Sequence, residues 1–261
     1  MTALRAKLRD RAKPTYRRRT PLILINGLAE QTESWYCNVD DWRKEFDVHT
    51  PNLLVYEGAP LHRRIDAGQP LDIEFFVDRL HTYLEEYAQN APYHLVANSL
   101  GGKIAVEYSA RYPDRVSKLV LICPSGISDE ERLPVVEGVR RNDPRSLVDS
   151  VFANPRQADP GLLKYYQDCF SNRRWKIGLL RTIRGTMAHR VRDQLARVSQ
   201  PTLLVVGRQD RIVDSAQAIE AAALLPLGQL VVLENCGHAP QIEKAALINR
   251  LVADFLRGKD G

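Results

Sequence analysis

Five short apolar runs set the terms for any fold of this chain. They are Pro21-Leu22-Ile23-Leu24-Ile25, His94-Leu95-Val96-Ala97, Lys118-Leu119-Val120-Leu121-Ile122-Cys123, Thr202-Leu203-Leu204-Val205-Val206 and Leu230-Val231-Val232-Leu233. Each is too short for a buried helix, rich in Val, Ile and Leu, and soon followed by Gly, Pro or Asn, which is how a strand buried on both faces reads. A weaker run at 47–55 is broken by Pro51. Helical stretches lie between the runs. In residues 72–89, Phe76, Leu80, Tyr83, Leu84 and Tyr87 recur at three- and four-residue intervals, and 101–112, 214–225 and 240–257 read as further helices. Short strands alternating with helices predict an α/β fold, a mostly parallel central sheet with helices on both faces. The stretch 127–197 has no strong strand and many Arg, Asp and Tyr residues on helical segments. It is expected to be a helical insertion over one edge of the sheet. The expected organisation is a basic extension at 1–19, a core of 20–126 and 198–261, and the insertion at 127–197.

Composition narrows the class. With 261 residues, 44% hydrophobic and 26% charged, the chain fits one large soluble domain. No apolar run approaches the ~20 residues of a membrane span. The first residues lack an apolar leader, so a cytoplasmic location is expected. Residues 1–19 carry a balance of +7 and residues 127–197 one of +5. A basic tail attracts nucleic acid or anionic lipid, but a solvated extension is the simpler reading and no nucleic-acid-reading module accompanies it. No nucleic-acid partner is expected. Cys37, Cys123, Cys169 and Cys236 are scattered without metal-type spacing, which predicts neither a disulfide framework nor a zinc site. Cys123 reads as a small buried hydrophobe.

The chemistry-bearing stretch is Ala97-Asn98-Ser99-Leu100-Gly101-Gly102. A serine on a tight strand-to-helix turn has its oxygen held above the sheet, with the next backbone N–H and a helix N-terminus close by. Such a turn needs small residues two before and two after the serine, here Ala97 and Gly101. Alone, Ser99 also fits a turn or helix-cap residue. A serine nucleophile requires a base. Of six histidines, His81 lies in a helix, His94 and His49 in strands, and His62 and His189 beside arginines. His238 sits in a glycine-bearing loop just after the last apolar run, where loops at the carboxyl ends of parallel strands converge. A carboxylate to orient the imidazole is offered by Asp210, directly after the run ending at Val206. Asp214 better fits the N-cap of the following helix, and Asp129 is a weaker alternative acid.

Ser99, Asp210 and His238, each in a loop after a strand and in that chain order, resemble the α/β-hydrolase superfamily over Pro21 to Leu256. Ala110-Arg111-Tyr112-Pro113-Asp114-Arg115-Val116 and the spacing Pro240…Glu243 support the likeness. The resemblance implies a helical cap at 127–197. It also implies an oxyanion hole formed by the amide of Leu28, or that of Ala29, which is also a candidate for substrate contact, together with the amide of Leu100. Where the family commonly has His-Gly, this chain has Asn26-Gly27, and Asn26 either bonds the loop or a substrate oxygen or ends the strand. Trp175, with Tyr165 and Tyr166, is a candidate for substrate contact. Arg140, Arg141, Arg173, Arg174, Arg181 and Arg184 either hold an anionic group or are solvated helix charges. The implied activity is that of a serine hydrolase on a small-molecule carboxylic ester or related acyl bond, needing no metal or organic cofactor. Asn98 to Gly102 also resembles the carbon–carbon hydrolases of the superfamily, and a ligand receptor on the same fold is a third reading.

Overall fold

In the computed structural model, residues 19–30, 32–88 and 91–258 are described; most of the basic extension, residues 1–18, lies outside them. Six strands form one sheet: β1 (Pro21–Ile25), β2 (Asp47–His49), β3 (Tyr93–Asn98), β4 (Val116–Ile122), β5 (Thr202–Gly207) and β6 (Gly228–Leu233). Their order is β2-β1-β3-β4-β5-β6, and every pairing is parallel. The chain leaves β1 towards β2 on one side and returns to β3 on the other. That reversal opens a crevice at the carboxyl edge of the sheet, between β1 and β3.

Among the described residues, eleven α-helices accompany the sheet: α1 (Val39–Trp42), α2 (Ala59–Asp66), α3 (Ile73–Tyr87), α4 (Leu100–Arg111), α5 (Pro134–Arg141), α6 (Pro144–Val151), α7 (Pro160–Ser171), α8 (Arg173–Thr186), α9 (Ser215–Ala221), α10 (Pro240–Glu243) and α11 (Ala245–Arg257). Side-chain alternation along the strands sorts the core into two layers. Ile23, Ile25, Leu95, Ala97, Leu119, Leu121, Leu204 and Val206 face one cluster, which Phe76, Leu80 and Leu84 of α3 and Ile104, Ala105 and Tyr108 of α4 complete. Their neighbours Leu22, Leu24, Val96, Val120, Ile122, Leu203 and Val205 face the other, with Trp35, Trp42, Ile248 and Val252. Helices therefore cover both faces.

Elements differ from the sequence reading where local chemistry intervenes. The run at 47–55 pairs only over Asp47–His49; Pro51 lacks the N–H that continuing the ladder needs. The helix expected at 214–225 ends at Ala221 and tightens into a 3₁₀ turn at Ala222–Leu224. The one expected at 240–257 breaks at Lys244 into α10 and α11. Between β4 and β5 the described residues form helices α5–α8 and two 3₁₀ turns, and a single bridge pairs Glu131 with Val213. Among the described residues, no helix is long and apolar enough to cross a membrane.

One contact fixes the start of α4. A β-carbon at Gly101 would stand 2.4 Å from the Ile25 carbonyl oxygen and 2.8 Å from that of Asn26, so the helix presses on the end of β1 at backbone distance. Gly101→Ala is expected to lower stability by about 3 kcal/mol, because both obstacles are main-chain atoms that cannot rotate away. Urea denaturation checks this; an unchanged midpoint would show that α4 does not need this approach.

Candidate active site

Backbone strain is concentrated at the carboxyl edge of the sheet. Of five non-glycine residues with positive φ among those described, Ala29, Ser99, Cys123 and Asn235 follow β1, β3, β4 and β6. Such conformations cost about 1–3 kcal/mol each and persist only where surrounding contacts hold them. Ser99, at φ 51° and ψ −119°, is held on both sides. Its N–H donates to the Ile122 carbonyl at 3.1 Å, and its carbonyl accepts from Gly102 at 2.8 Å and Ser125 at 3.0 Å. Ala97, in the first small slot of the turn, is fully buried.

The other two residues arrive on paired loops. Arg208 and Gln209 donate backbone N–H bonds to the Leu233 and Cys236 carbonyls, both at 2.9 Å, and the Gln209 Oε1 accepts from the Cys236 N–H at 3.1 Å. A β-carbon at Gly207 would lie 2.0 Å from the Gly237 carbonyl oxygen; only glycine lets the two loops meet here. The result is a hydrogen bond of 2.8 Å between His238 Nδ1 and Asp210 Oδ2, with both side chains buried. A carboxylate accepts only, so Nδ1 carries the proton and Nε2 is left as the base. The other Asp210 oxygen accepts the N–H groups of Ile212 at 2.8 Å and Val213 at 3.1 Å. Asp214 caps α9 through the N–H groups of Ala216 and Gln217. Asp129 is exposed, its backbone bonded to Gln217 and Arg190.

The His238 loop is fastened elsewhere too. The His238 N–H donates to the Val151 carbonyl at 2.8 Å. Glu243 accepts from Gly237 and from Ala153, both at 2.8 Å, tying the loop to the end of α6. Asn98, next to Ser99, donates from Nδ2 to the His238 carbonyl at 3.3 Å and to that of Ile122 at 3.0 Å. The serine strand and the histidine loop are thus linked through one buried amide.

Ser99 and His238 line one cavity of about 70 Å³, together with Leu28, Leu100, Glu30, Lys103 and Glu131. Leu100 is the first residue of α4, whose N-terminal partial positive charge faces this end. Among the described residues, the Leu28 and Leu100 N–H groups donate to no protein acceptor. The Ala29 N–H does, to the Tyr56 hydroxyl at 3.1 Å, and its side chain lies in the core. Asn26 bonds its own loop, donating to the Glu30 carbonyl at 2.9 Å. Trp175 is buried against Tyr56 and Phe170, away from the cavity. The arginines at 140, 141, 173, 174, 181 and 184 are all exposed, and none lines this cavity. Four charged residues that the sequence reading passed over do line it: Glu30, Lys103, Glu131 and Arg132. Lys103 had a legible signal, since it stands four positions after Ser99 and so on the same side of the helix.

A second, larger cavity of about 290 Å³ shares Glu30, Val151 and Tyr166 with the first. Val148, Phe152, Leu162 and Ile242 make it predominantly apolar. The histidines outside the site have structural partners. His62 bonds the Tyr56 and Arg174 carbonyls, His189 pairs with Glu107, and His81 stacks on Tyr112. Burial takes His94 down to about 4. Cys123, Asp210 and His238 bring three metal-type donor atoms within 4.8 Å of one another. Asp210 and His238 are bonded to each other, and burial pushes the Cys123 thiol well up, against the thiolate a metal would need.

Comparisons with known proteins agree with the fold. A family model described as "alpha/beta hydrolase fold" matches residues 20–245. A monoacylglycerol lipase of Xenopus laevis is 29% identical, the match covering 90% of this chain and 74% of that protein. The 2-hydroxy-6-oxo-2,4-heptadienoate hydrolase of Pseudomonas putida is 31% identical over 92% of this chain and 90% of that protein. A solved meta-cleavage product hydrolase of Pseudomonas fluorescens shares the fold with a TM-score of 0.79 at 20% identity, covering 93% of this chain and 92% of that one.

The Asp210–His238 pair sets a pH dependence. Burial opposes the charged imidazole, but the Asp210 carboxylate beside it outweighs burial and raises His238 above 6.5. Burial would likewise raise Asp210; the His238 charge and the two backbone N–H groups hold it below 3.8 instead. The raised histidine stabilises the fold fully below pH 6.5, and that share is lost as pH rises through its folded value. The depressed aspartate stabilises above pH 3.8, and that share is lost as pH falls through its folded value. The pair therefore supports the fold most between these limits. In an NMR titration, His238 is expected to change charge above pH 6.5 in wild type and at lower pH in Asp210→Asn. Coincident titrations would show that Asp210 does not set its charge.

Proposed function

Because this chain belongs to the alpha/beta hydrolase fold family, we propose that it hydrolyses carboxylic esters through an acyl-enzyme on Ser99. The observation that carries this reading is the Asp210–His238 hydrogen bond, which leaves Nε2 as the base in the cavity that Ser99 lines. His238 takes the serine proton as Oγ attacks the ester carbonyl, and Asp210 stabilises the imidazolium that forms. The Leu28 and Leu100 amides receive the oxyanion, aided by the N-terminus of α4; one such donor is worth about 10²–10³ in rate. The imidazolium then protonates the departing alcohol, and the same base activates a water to release the acid.

The two cavities suit the two ends of an ester. The larger, apolar one takes the acyl chain, and the smaller one, beside Ser99, takes the alcohol. Helices α6 and α7 supply much of the acyl wall through Val148, Val151, Leu162, Tyr165 and Tyr166, so residues 127–197 act as a cap. The similarity to the monoacylglycerol lipase supports an ester with one acyl chain.

Carbon–carbon bond hydrolysis is the second reading, favoured by the 31% identity to the Pseudomonas putida heptadienoate hydrolase. The exposure of the six arginines at 140, 141, 173, 174, 181 and 184, none of which lines the cavity beside Ser99, weakens it; Arg132, which does line that cavity, is the arginine left to meet a substrate carboxylate. Loss of the dienoate absorbance on mixing with enzyme would favour this reading over the first.

A fluorophosphonate probe is expected to label wild type and spare Ser99→Ala; equal labelling of both would sink the assignment. Across p-nitrophenyl esters of rising chain length, kcat/KM is expected to climb by about fourfold per methylene until the acyl cavity is full, as ~0.8 kcal/mol per buried CH₂ implies. A flat series would show that this cavity takes no chain.

A further inference from the structure

We infer that Lys103 and Glu131 form the recognition site for the leaving alcohol and select a neutral, hydroxyl-bearing one, such as a glycerol. This rests on the ester-hydrolase reading and names the substrate class of the same site. Lys103 stands one turn beyond Ser99 on α4 and is 2% exposed. A buried lysine among Leu100, Ile104 and Ala105 has no packing purpose that a leucine would not serve better. Its ammonium donates to the Thr186 carbonyl at 3.1 Å, at the end of α8, and lies 3.8 Å from Glu131 Oε2. Glu131 is itself held in place, since its other oxygen accepts the Gly126 N–H and its backbone bridges to Val213. Both residues line the cavity that contains Ser99 and His238.

The chemistry follows from counting donors and acceptors. An ammonium has three N–H donors. One goes to Thr186 and one points to Glu131 at a loose separation, so one remains for a ligand. Glu131 Oε2, with no closer donor, keeps its acceptor capacity. A cation entering here would meet Lys103 and an anion would meet Glu131, and each would unbalance a pair that is now neutral. A hydroxyl both donates and accepts, so a diol satisfies the two groups together. A purely apolar alcohol would strip water from both charges and return nothing. The pair therefore works as a filter as well as a grip.

The test compares two esters with the same acyl group: glyceryl monobutyrate and ethyl butyrate. For wild type, kcat/KM for the glyceryl ester is expected to exceed that for the ethyl ester by about tenfold to a hundredfold, the scale of a hydrogen bond to a charged group. In Lys103→Met that ratio should fall to near one. The double variant Lys103→Met/Glu131→Leu removes both charges of the pair together, so neither is left without its partner, and guards against a single variant that fails to fold. A ratio near one in wild type, or an undiminished ratio in the double variant, would overturn the inference. Binding is read separately, from how 1-O-hexylglycerol and 1-hexanol slow fluorophosphonate labelling and raise the melting temperature. A preference for the hexylglycerol that disappears in the double variant supports the site even if neither ester is cleaved, in which case only the ester reading falls. Equal effects of the two compounds on wild type would overturn the site itself.

Discussion

The approach of α4 to the end of β1 is the contact on which the site depends. Gly101 sits against the Ile25 and Asn26 carbonyl oxygens with no room for a β-carbon, so only glycine lets the helix N-terminus come this near to the end of β1 and the 26–30 loop. That distance decides whether the Leu28 and Leu100 amides flank one point in space. The positive φ of Ser99 is the consequence: the chain must turn within one residue from a buried strand into a helix already pinned at its second residue. The strain is met by three backbone hydrogen bonds around Ser99 and by full burial of the strand before it. Stability is thereby converted into the fixed position of one hydroxyl.

The histidine side of the site is built on a different principle. No single element places His238; four hydrogen-bonded anchors do, from Asp210, Val151, Asn98 and, through Gly237, Glu243. Two of these reach into the region after β4: the Val151 carbonyl ends α6, and the Glu243 carboxylate also holds Ala153. His238 and the wall of the larger cavity therefore share supports. A shift of α6 that widens the cavity would pull on the His238 main chain, so the shape of that cavity and the placement of His238 are mechanically linked.

Much of this was legible in the sequence, for a physical reason. Strands buried on both faces have to be apolar, and the loops that follow them at one edge have to converge, so the order Ser99, Asp210, His238 could be read from position alone. Asp214 could be separated from Asp210 because helix capping has its own spacing. What escaped was whatever depends on a side chain's direction. Trp175 and the six arginines occur in the same helical segments, yet Trp175 turns into a core with Tyr56 while the arginines turn to solvent. Ala29 and Asn26 look available in sequence, but their polar groups are spent on Tyr56 and on the loop itself. Glu30 and Glu131 carry no pattern that marks them as half-buried and facing inward, because periodicity reports where apolar residues go and is silent on an acid that a loop folds inward.

Glu30 shows why such inward acids matter. Its carboxylate accepts the Gly27 N–H at 3.0 Å and so braces the loop that presents the Leu28 amide. It also borders both cavities, which in the proposed mechanism sets it on the side of the carbonyl oxygen that gains charge on attack. An ionised Glu30 would repel that oxyanion and undo part of what the amides provide. Burial resolves the conflict in the useful direction. It raises the Glu30 carboxyl above its ordinary value, against the opposing pull of the Gly27 N–H and the His238 charge, and every step towards the neutral acid removes repulsion at the oxyanion while the bracing role survives. The same reasoning separates Glu30 from Glu131, whose charge is balanced by an ammonium 3.8 Å away. Two acids in one small cavity are compatible with chemistry that builds negative charge because desolvation discourages ionisation of one and a lysine neutralises the other.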